Sequence, residues 1–289
     1  MTIIDGKKVS AEVRARVTDR VHELKEKTGK VPGLAVVLVG DDPASAMYIK
    51  NKKKACEQVG IKSFEHRLSA DAKQEELLAL VEKLNRDETV NGILVQLPLP
   101  GQIDSKKILE AVAPGKDVDG FHPLNFGRLA GGEPVLTPCT PAGIIEMLDH
   151  YDIAIEGKRA VVMGRSAIVG KPVAFLLLHR NATVTICHSR TKDLPDRTRS
   201  AEILIVAVGK PEFVTGDMVS EGTVVIDVGI HRIGDKLVGD VAFDEVKDKA
   251  SYISPVPGGV GPMTIAMLLL NTLKAARYYM HPHLRNLRD

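Results

Sequence analysis

Two stretches of this chain carry residue types whose spacing could do chemistry. In SAMYIKNKKKACEQVG, a helix turning through about 100° per residue puts Tyr48, Lys52, Ala55, Cys56 and Val59 on one stripe. Lys50, Lys53, Lys54 and Glu57 face away, so one lysine sits on an apolar face, four residues after a tyrosine. Such a lysine either snorkels to solvent or, when desolvated, loses proton affinity until it exchanges protons near neutrality. Downstream, VQLPLP puts Gln96 at the carboxyl end of an apolar strand, where open parallel sheets hold ligands. KDVDGF sets Asp117 and Asp119 in a loop, where aspartate is more often turn chemistry than a ligand.

The second stretch, VVMGRSAIVGKPVAFLLL (Val161 to Leu178), reads as a buried strand, a glycine turn and a helix opening at Pro172. A strand entering a helix through such a turn offers the helix's first N–H groups, and its dipole, to a pyrophosphate. Gly164 and Gly170 bound the turn, with Ser166 where a second glycine is usual. About 20 residues on, the second strand of a dinucleotide fold ends beside the ribose 2′ position, where NAD-specific sites carry an acid. Here Ser189 and Arg190 stand there instead, and Arg165 comes from the turn itself. Hydroxyl and guanidinium groups bind a 2′-phosphate that a carboxylate would repel, so NADP is favoured over NAD.

Composition narrows the class. The 289 residues suffice for two domains, and a net charge of +2, with no tryptophan, disfavours nucleic-acid partners. No apolar run reaches membrane-spanning length, and no leader pattern precedes the first helix. Cys56, Cys139 and Cys187 are widely spaced and read as cytoplasmic thiols, and neither they nor the histidines have metal-ligand spacing.

The elements that must position these residues alternate. Valines at 9, 13, 17 and 21 with Leu24 mark a helix ending at Gly29, followed by the strand Gly33 to Gly40. Asp41, Asp42 and Pro43 make a turn with Ser45 as N-cap of the lysine helix. Strands near 62–68 and 92–96 and helices near 72–85 and 105–113 follow, and 114–122 reads as loop. GGEPVLTPCTP, rich in proline and glycine, marks a boundary. Beyond it come a helix at 142–150, strands at 160–163, 182–187, 203–208, 223–228 and 252–254, and a last helix from Met263 to about Tyr279. The expectation is an α/β fold of two domains, 1–140 and 141–270, with 271–289 joining the first. The second domain is a Rossmann-type parallel sheet, and a cleft lies between the two.

In order along the chain, YIKNK, VQLPLP, KDVDGF, TPCTP, GRSAIVGKP, CHSRT, DVGI and PGGVGPMT resemble the bifunctional methylenetetrahydrofolate dehydrogenase/methenyltetrahydrofolate cyclohydrolase family. The resemblance implies NADP-linked oxidation of 5,10-methylenetetrahydrofolate and hydrolysis of the methenyl product to 10-formyltetrahydrofolate. It implies Lys52 as the catalytic lysine, with Tyr48 beside it and Gln96 tuning it. Asp119, Tyr48, Gly259 and Pro262 would meet the folate. Gly164, Arg165, Ser166, Gly170, Ser189, Arg190 and Ile230 would meet NADP, with Arg165 and Ser189 on its 2′-phosphate. A homodimer through the nucleotide-binding domain is also implied. A shikimate-dehydrogenase-like oxidoreductase, also two α/β domains with NADP but without hydrolase activity, is the competing enzyme reading. A catalytically silent dinucleotide-binding regulator is the competing reading outside enzymes.

Overall fold

The computed structural model describes residues 1–40 and 43–280, and the chain divides into two compact units. Met1–Ala11 join Pro138–Met267 in one, and Glu12–Thr137 join the chain from Leu268 in the other. The expected contiguous division 1–140 therefore fails at its start. Strand β1 (Thr2–Ile3) pairs parallel to β11 (Tyr252–Ile253) and carries the first residues into the second sheet. A two-residue strand leaves no periodicity to read.

The unit containing Lys52 is built from α1 (Gly6–Thr28) beyond Ala11, β2 (Gly33–Val39), α2 (Pro43–Val59), β3 (Lys62–Leu68), α3 (Gln74–Arg86), β4 (Gly92–Val95), α4 (Ser105–Ala111) and α5 (Pro123–Ala130). The valine stripe of α1 is buried throughout. Its parallel sheet runs β3-β2-β4. Central β2 is buried at every residue, as an uninterrupted apolar run covered on both faces requires. Leu77, Val81 and Leu84 of α3 and Ile108 of α4 pack with Val37 and Ile93 into its core. Each such aliphatic side chain contributes roughly 1.5–3 kcal/mol on full burial.

The other unit holds a parallel sheet of order β1-β11-β8-β7-β5-β6, comprising β5 (Arg159–Met163), β6 (Thr183–Cys187), β7 (Ile203–Val206) and β8 (Val224–Asp227) with the two-residue strands β1 and β11. Helices α6 (Cys139–His150) and α7 (Gly170–His179) pack against each other, and α7 lies on β5 and β6. Met163 is level with Cys187 on one neighbour and with Val206 on the other, which aligns the carboxyl ends of β5, β6 and β7. An antiparallel hairpin, β9 (His231–Ile233) with β10 (Lys236–Val238), follows β8. Helix α10 (Val260–Ala275) and a π turn (Ala276–Met280) end the described chain.

Several short elements escape the sequence reading: β1, α5, the six-residue α8 (Leu194–Arg199), a 3-10 turn at Gly216–Met218, the β9–β10 hairpin and the four-residue α9 (Phe243–Val246). Helix α2 begins at Pro43, so Ser45 lies inside its first turn instead of capping it, because proline suits the opening of a helix. The turn expected at Asp41–Asp42 lies outside the described residues.

Candidate active site

Helix α2 buries the stripe Ile49, Lys52, Ala55, Cys56 and Val59, while Lys50, Lys53 and Lys54 stay exposed. Lys52 is 8% exposed, so its ammonium cannot snorkel freely, whereas Tyr48 at the stripe's start is 46% exposed. The tyrosine was expected on the buried stripe, and Ile49 takes that place, one position round the helix. Lys52 Nζ donates to Gln96 Oε1 at 2.9 Å. Gln96 is held from both sides: its backbone N–H donates to Val37 O at 2.9 Å, and its Nε2 donates to Leu97 O at 2.7 Å. The second bond fixes the amide so that oxygen, not nitrogen, meets the lysine. Cys56, one turn further along, is no rival nucleophile, because burial pushes its thiol up to about 12.

The two loop aspartates separate clearly. Asp117 Oδ1 accepts from the N–H groups of Gly120 and Phe121, each at 3.1 Å. Its Oδ2 accepts from His122 N–H and Asn125 Nδ2, each at 2.8 Å. Its lone pairs are spent on the loop, so Asp117 is the turn residue. Asp119 makes no such bonds. Burial pushes its carboxyl up to about 6, against the Lys52 charge and with some help from Asp117. Asn271 of α10 holds the loop from behind, its Nδ2 donating to Val118 O and Thr137 O, both at 2.8 Å. Sequence reasoning missed Asn271, although a lone asparagine in the apolar run IAMLLLNTL was the available signal. Gly259 and Pro262 flank the start of α10 in the other unit, where Pro262 O accepts from Ser10 Oγ at 3.1 Å.

A cavity of about 260 Å³ opens at the aligned ends of β5, β6 and β7. Gly164, Arg165 and Ser189 of the expected cofactor set line it, together with Met163, Cys187, His188, Leu194, Ala207, Val208, Lys210 and Phe213. The cradle demands its glycines. A Cβ on Gly164 would meet Ala207 O at 2.2 Å, and one on Gly170 would meet Gly164 O at 2.2 Å. Thr191 Oγ1 accepts from His188 N–H at 2.8 Å, and His188 Nδ1 accepts from Arg190 N–H at 3.1 Å. The two bonds fold 188–191 into a tight turn with Ser189 and Arg190 exposed. Ser166, Gly170, Arg190 and Ile230 lie outside the lining.

One expectation fails here. The first N–H groups of α7 are not offered to a ligand. Ser166 Oγ accepts from Val169 and Gly170 at 3.1 and 3.2 Å, Ser166 O takes Lys171 N–H, and Pro172 has none. Ser166 works as an internal cap for α7. The anion-binding groups that remain at the cavity are the side chains of Arg165, Ser189 and Lys210. Together the glycine cradle, cationic side chains and cavity at the strand ends fit the phosphate-bearing half of a dinucleotide.

A parallel α/β unit with such a cradle, in one chain with a buried helix lysine held on Gln96 at a strand end, defines a dinucleotide-dependent enzyme. Residues 4–119 match the tetrahydrofolate dehydrogenase/cyclohydrolase catalytic domain, and residues 138–280 match the NAD(P)-binding domain of the same family. The chain belongs to the tetrahydrofolate dehydrogenase/cyclohydrolase family. A bifunctional protein FolD of Moorella thermoacetica is 61% identical over 276 residues, which span 95% of this chain and 98% of that one. The crystal structure of the bifunctional FolD methylenetetrahydrofolate dehydrogenase/cyclohydrolase of Campylobacter jejuni aligns with a TM-score of 0.94 at 53% identity, covering 96% and 99% of the two chains. The Trypanosoma brucei methylenetetrahydrofolate dehydrogenase-cyclohydrolase, solved with NADP and an inhibitor, aligns at 0.92 and 40% identity over 97% and 99%. A Thermus thermophilus shikimate 5-dehydrogenase, at 0.51 and 16% identity, shares the fold alone.

Proposed function

We infer that this chain oxidises 5,10-methylenetetrahydrofolate with NADP and hydrolyses the resulting methenyl cation to 10-formyltetrahydrofolate. The observation that carries the reading is the buried Lys52 ammonium on the neutral Gln96 oxygen, in the segment that matches the family's catalytic domain. An amide oxygen holds a lysine without fixing its charge, which a carboxylate in that position would do.

The methylene carbon stands between two nitrogens whose lone pairs assist its loss of hydride, so oxidation asks the protein mainly for orientation. NADP, when bound, supplies the hydride acceptor. Hydrolysis asks for more. Water must lose a proton as it attacks the methenyl carbon, and a ring nitrogen must gain one as the adduct opens. Lys52 moves these protons, and Gln96 keeps its Nζ in place. Asp119 accepts the paired N–H groups of the pterin edge, Tyr48 covers the folate from the exposed end of the stripe, and Gly259 and Pro262 complete the substrate set.

Arg165 and Ser189 hold the 2′-phosphate of NADP. Gly164, Ser166 and Gly170 shape the turn beneath it, and Arg190 and Ile230 complete the cofactor contacts. In this reading, Glu12–Thr137 with the chain from Leu268 is the folate unit, and Pro138–Met267 is the NADP unit. The enzyme works as a homodimer joined along β6, an unpaired sheet edge with Ile186 exposed, since uncovered edges are templates for pairing. Buried thiols at Cys56, Cys139 and Cys187 suit the cytoplasm.

The test is to follow the methenyl absorbance during turnover with NADP, recording NADPH in parallel. NADPH formation with transient methenyl-folate that is then consumed is the expected result. NADPH formed from shikimate instead, or no turnover with folate, overturns the reading.

A further inference from the structure

The wall of the dinucleotide cavity from Ala207 to Phe213 contains no regular element. Ala207 N–H donates to Met163 O, and from Val208 onward the groups that fix the backbone come from one later segment, 239–242. Asp240 is fully buried, and its Oδ2 accepts from Val208 N–H at 2.6 Å and Gly209 N–H at 2.9 Å. Its Oδ1 accepts from Lys210 N–H at 3.0 Å and faces His231 Nε2 at 2.7 Å. The main chain continues the attachment: Glu212 N–H donates to Gly239 O, Val214 N–H to Asp240 O, and Ala242 N–H to Val214 O, at 2.9, 3.0 and 2.8 Å.

A second buried carboxylate holds the first in place. Asp227, the last residue of β8, accepts from Asp240 N–H at 2.9 Å, Gly229 N–H at 3.0 Å and Val241 N–H at 3.0 Å. The approach is so close that a Cβ on Gly229 would lie 2.4 Å from Asp240 Oδ1, and one on Gly239 would lie 1.8 Å from Asp227 Oδ2. Two carboxylates and two glycines thus interlock three loops, those after β7 and β8 and the one leading from β10 into α9 (Phe243–Val246). The His231 ring, on the same carboxylate, ties down the segment that carries Ile230.

We propose that Asp240 is a positioning residue for NADP: its carboxylate clamps the Val208–Lys210 backbone and His231 together, and so sets the wall against which the dinucleotide binds. The geometry argues for this over general support of the fold. Three of the four groups on the carboxylate lie in the loop at the cavity, the fourth is His231 beside Ile230 at the start of the β9–β10 hairpin, and none lies in the six-stranded sheet. A carboxylate is needed because four hydrogen-bond partners converge on two oxygens. An amide would turn its own N–H groups against half of them.

The proposal rests on the NADP-dehydrogenase reading, and the parent enzyme's turnover with NADP checks that reading separately. Asp240→Asn is compared with the parent by NADPH fluorescence titration, by dehydrogenase kinetics and by hydrolysis of supplied methenyl-folate, which needs no cofactor. The expected result is NADPH binding and KM for NADP weakened by at least ~10-fold, the usual loss for a hydrogen bond to a charged group. Hydrolysis of supplied methenyl-folate stays within about two-fold, the mark of an interaction with the cofactor alone. Loss of both activities by one factor, in step with lost thermal stability, would overturn the proposal. His231→Gln and His231→Leu extend the test if Asp240→Asn does not fold. The glutamine variant, whose amide can still hydrogen-bond Asp240, retains NADPH affinity, and the leucine variant loses several-fold of it. Unchanged affinity in the leucine variant would equally overturn the clamp.

Discussion

Lys52 and Gln96 project from a helix face and a strand end, whereas the wall of the dinucleotide cavity is loop backbone tied to Asp240. The two regions solve the same problem, holding polar groups still, by different means. In the first, regular elements set the side chains and the Lys52–Gln96 hydrogen bond joins them. In the second, buried carboxylates replace the missing ladder of a sheet, each oxygen standing in for a strand's carbonyl. A group that must move protons is best carried on a rigid element and held by a neutral acceptor such as the Gln96 amide. A surface that only has to fit a cofactor tolerates irregular backbone, provided every N–H finds an acceptor.

The largest effect that could break this contrast is at Lys52. Lys52→Met keeps the stem and the helix but removes the proton carrier, so cyclohydrolase activity should fall ~10²–10⁴-fold. Dehydrogenase activity falls distinctly less, and the variant releases methenyl-folate, seen by its absorbance beside NADPH. Equal losses with folate affinity unchanged would mean the lysine site does not divide the two reactions as described.

On the cavity side, Arg165→Ala removes one charge-assisted contact, worth about 1.5–3 kcal/mol, or roughly 10- to 100-fold in KM for NADP. KM for NAD, which lacks the 2′-phosphate, changes little. Equal weakening of both cofactors would take Arg165 away from the 2′ position and leave Lys210 as the cation to examine there.

The smallest effect sharpens the folate side. The Asp119 carboxylate must be ionised to accept pterin N–H groups, and its pKa is pushed up to about 6. Folate kcat/KM should therefore fall about ten-fold per pH unit below that value, and Asp119→Asn should flatten the profile. Unfolding is not the cause. A carboxyl whose folded pKa exceeds its ordinary value of 3.8 favours the folded state as pH drops from 7 toward 5, so this group adds stability while activity declines. A denaturation midpoint that fell together with activity would contradict that assignment.

Much of the lysine region was legible because helices and buried strands write their periods into the sequence. The α2 stripe, the run of β2 and the position of Gln96 all follow from apolar spacing. Tyr48 was misjudged because a residue at the start of a helix has fewer neighbours to cover it than the same face one turn later. The cavity wall was nearly invisible. Val208, Lys210 and Phe213 have no period, and Asp227 and Asp240 look like any two acids until the fold brings them together 13 residues apart. The resemblance implies Ser166 as a cofactor contact, and no apolar period foretells that its hydroxyl also accepts from Val169 and Gly170 N–H at the start of α7. Asp117 and Asp119 could not be told apart by type. Only the four donors around Asp117 separate them.

Neither unit is a continuous stretch of chain, and that has a consequence for how the protein is made. During synthesis the residues bearing Tyr48, Lys52, Gln96 and Asp119 emerge first, yet their unit is completed only by the chain from Leu268. Asn271, which grips Val118 O and Thr137 O, comes off the ribosome more than 130 residues after either of them. At ribosomal speeds of about 5–20 residues per second, the Asp119 loop waits roughly 8–30 seconds for its last support. The nucleotide unit, by contrast, has every strand of its sheet once Ile253 has emerged. The second-encoded unit is thus the first that can finish folding, and the first-encoded one ends as the last.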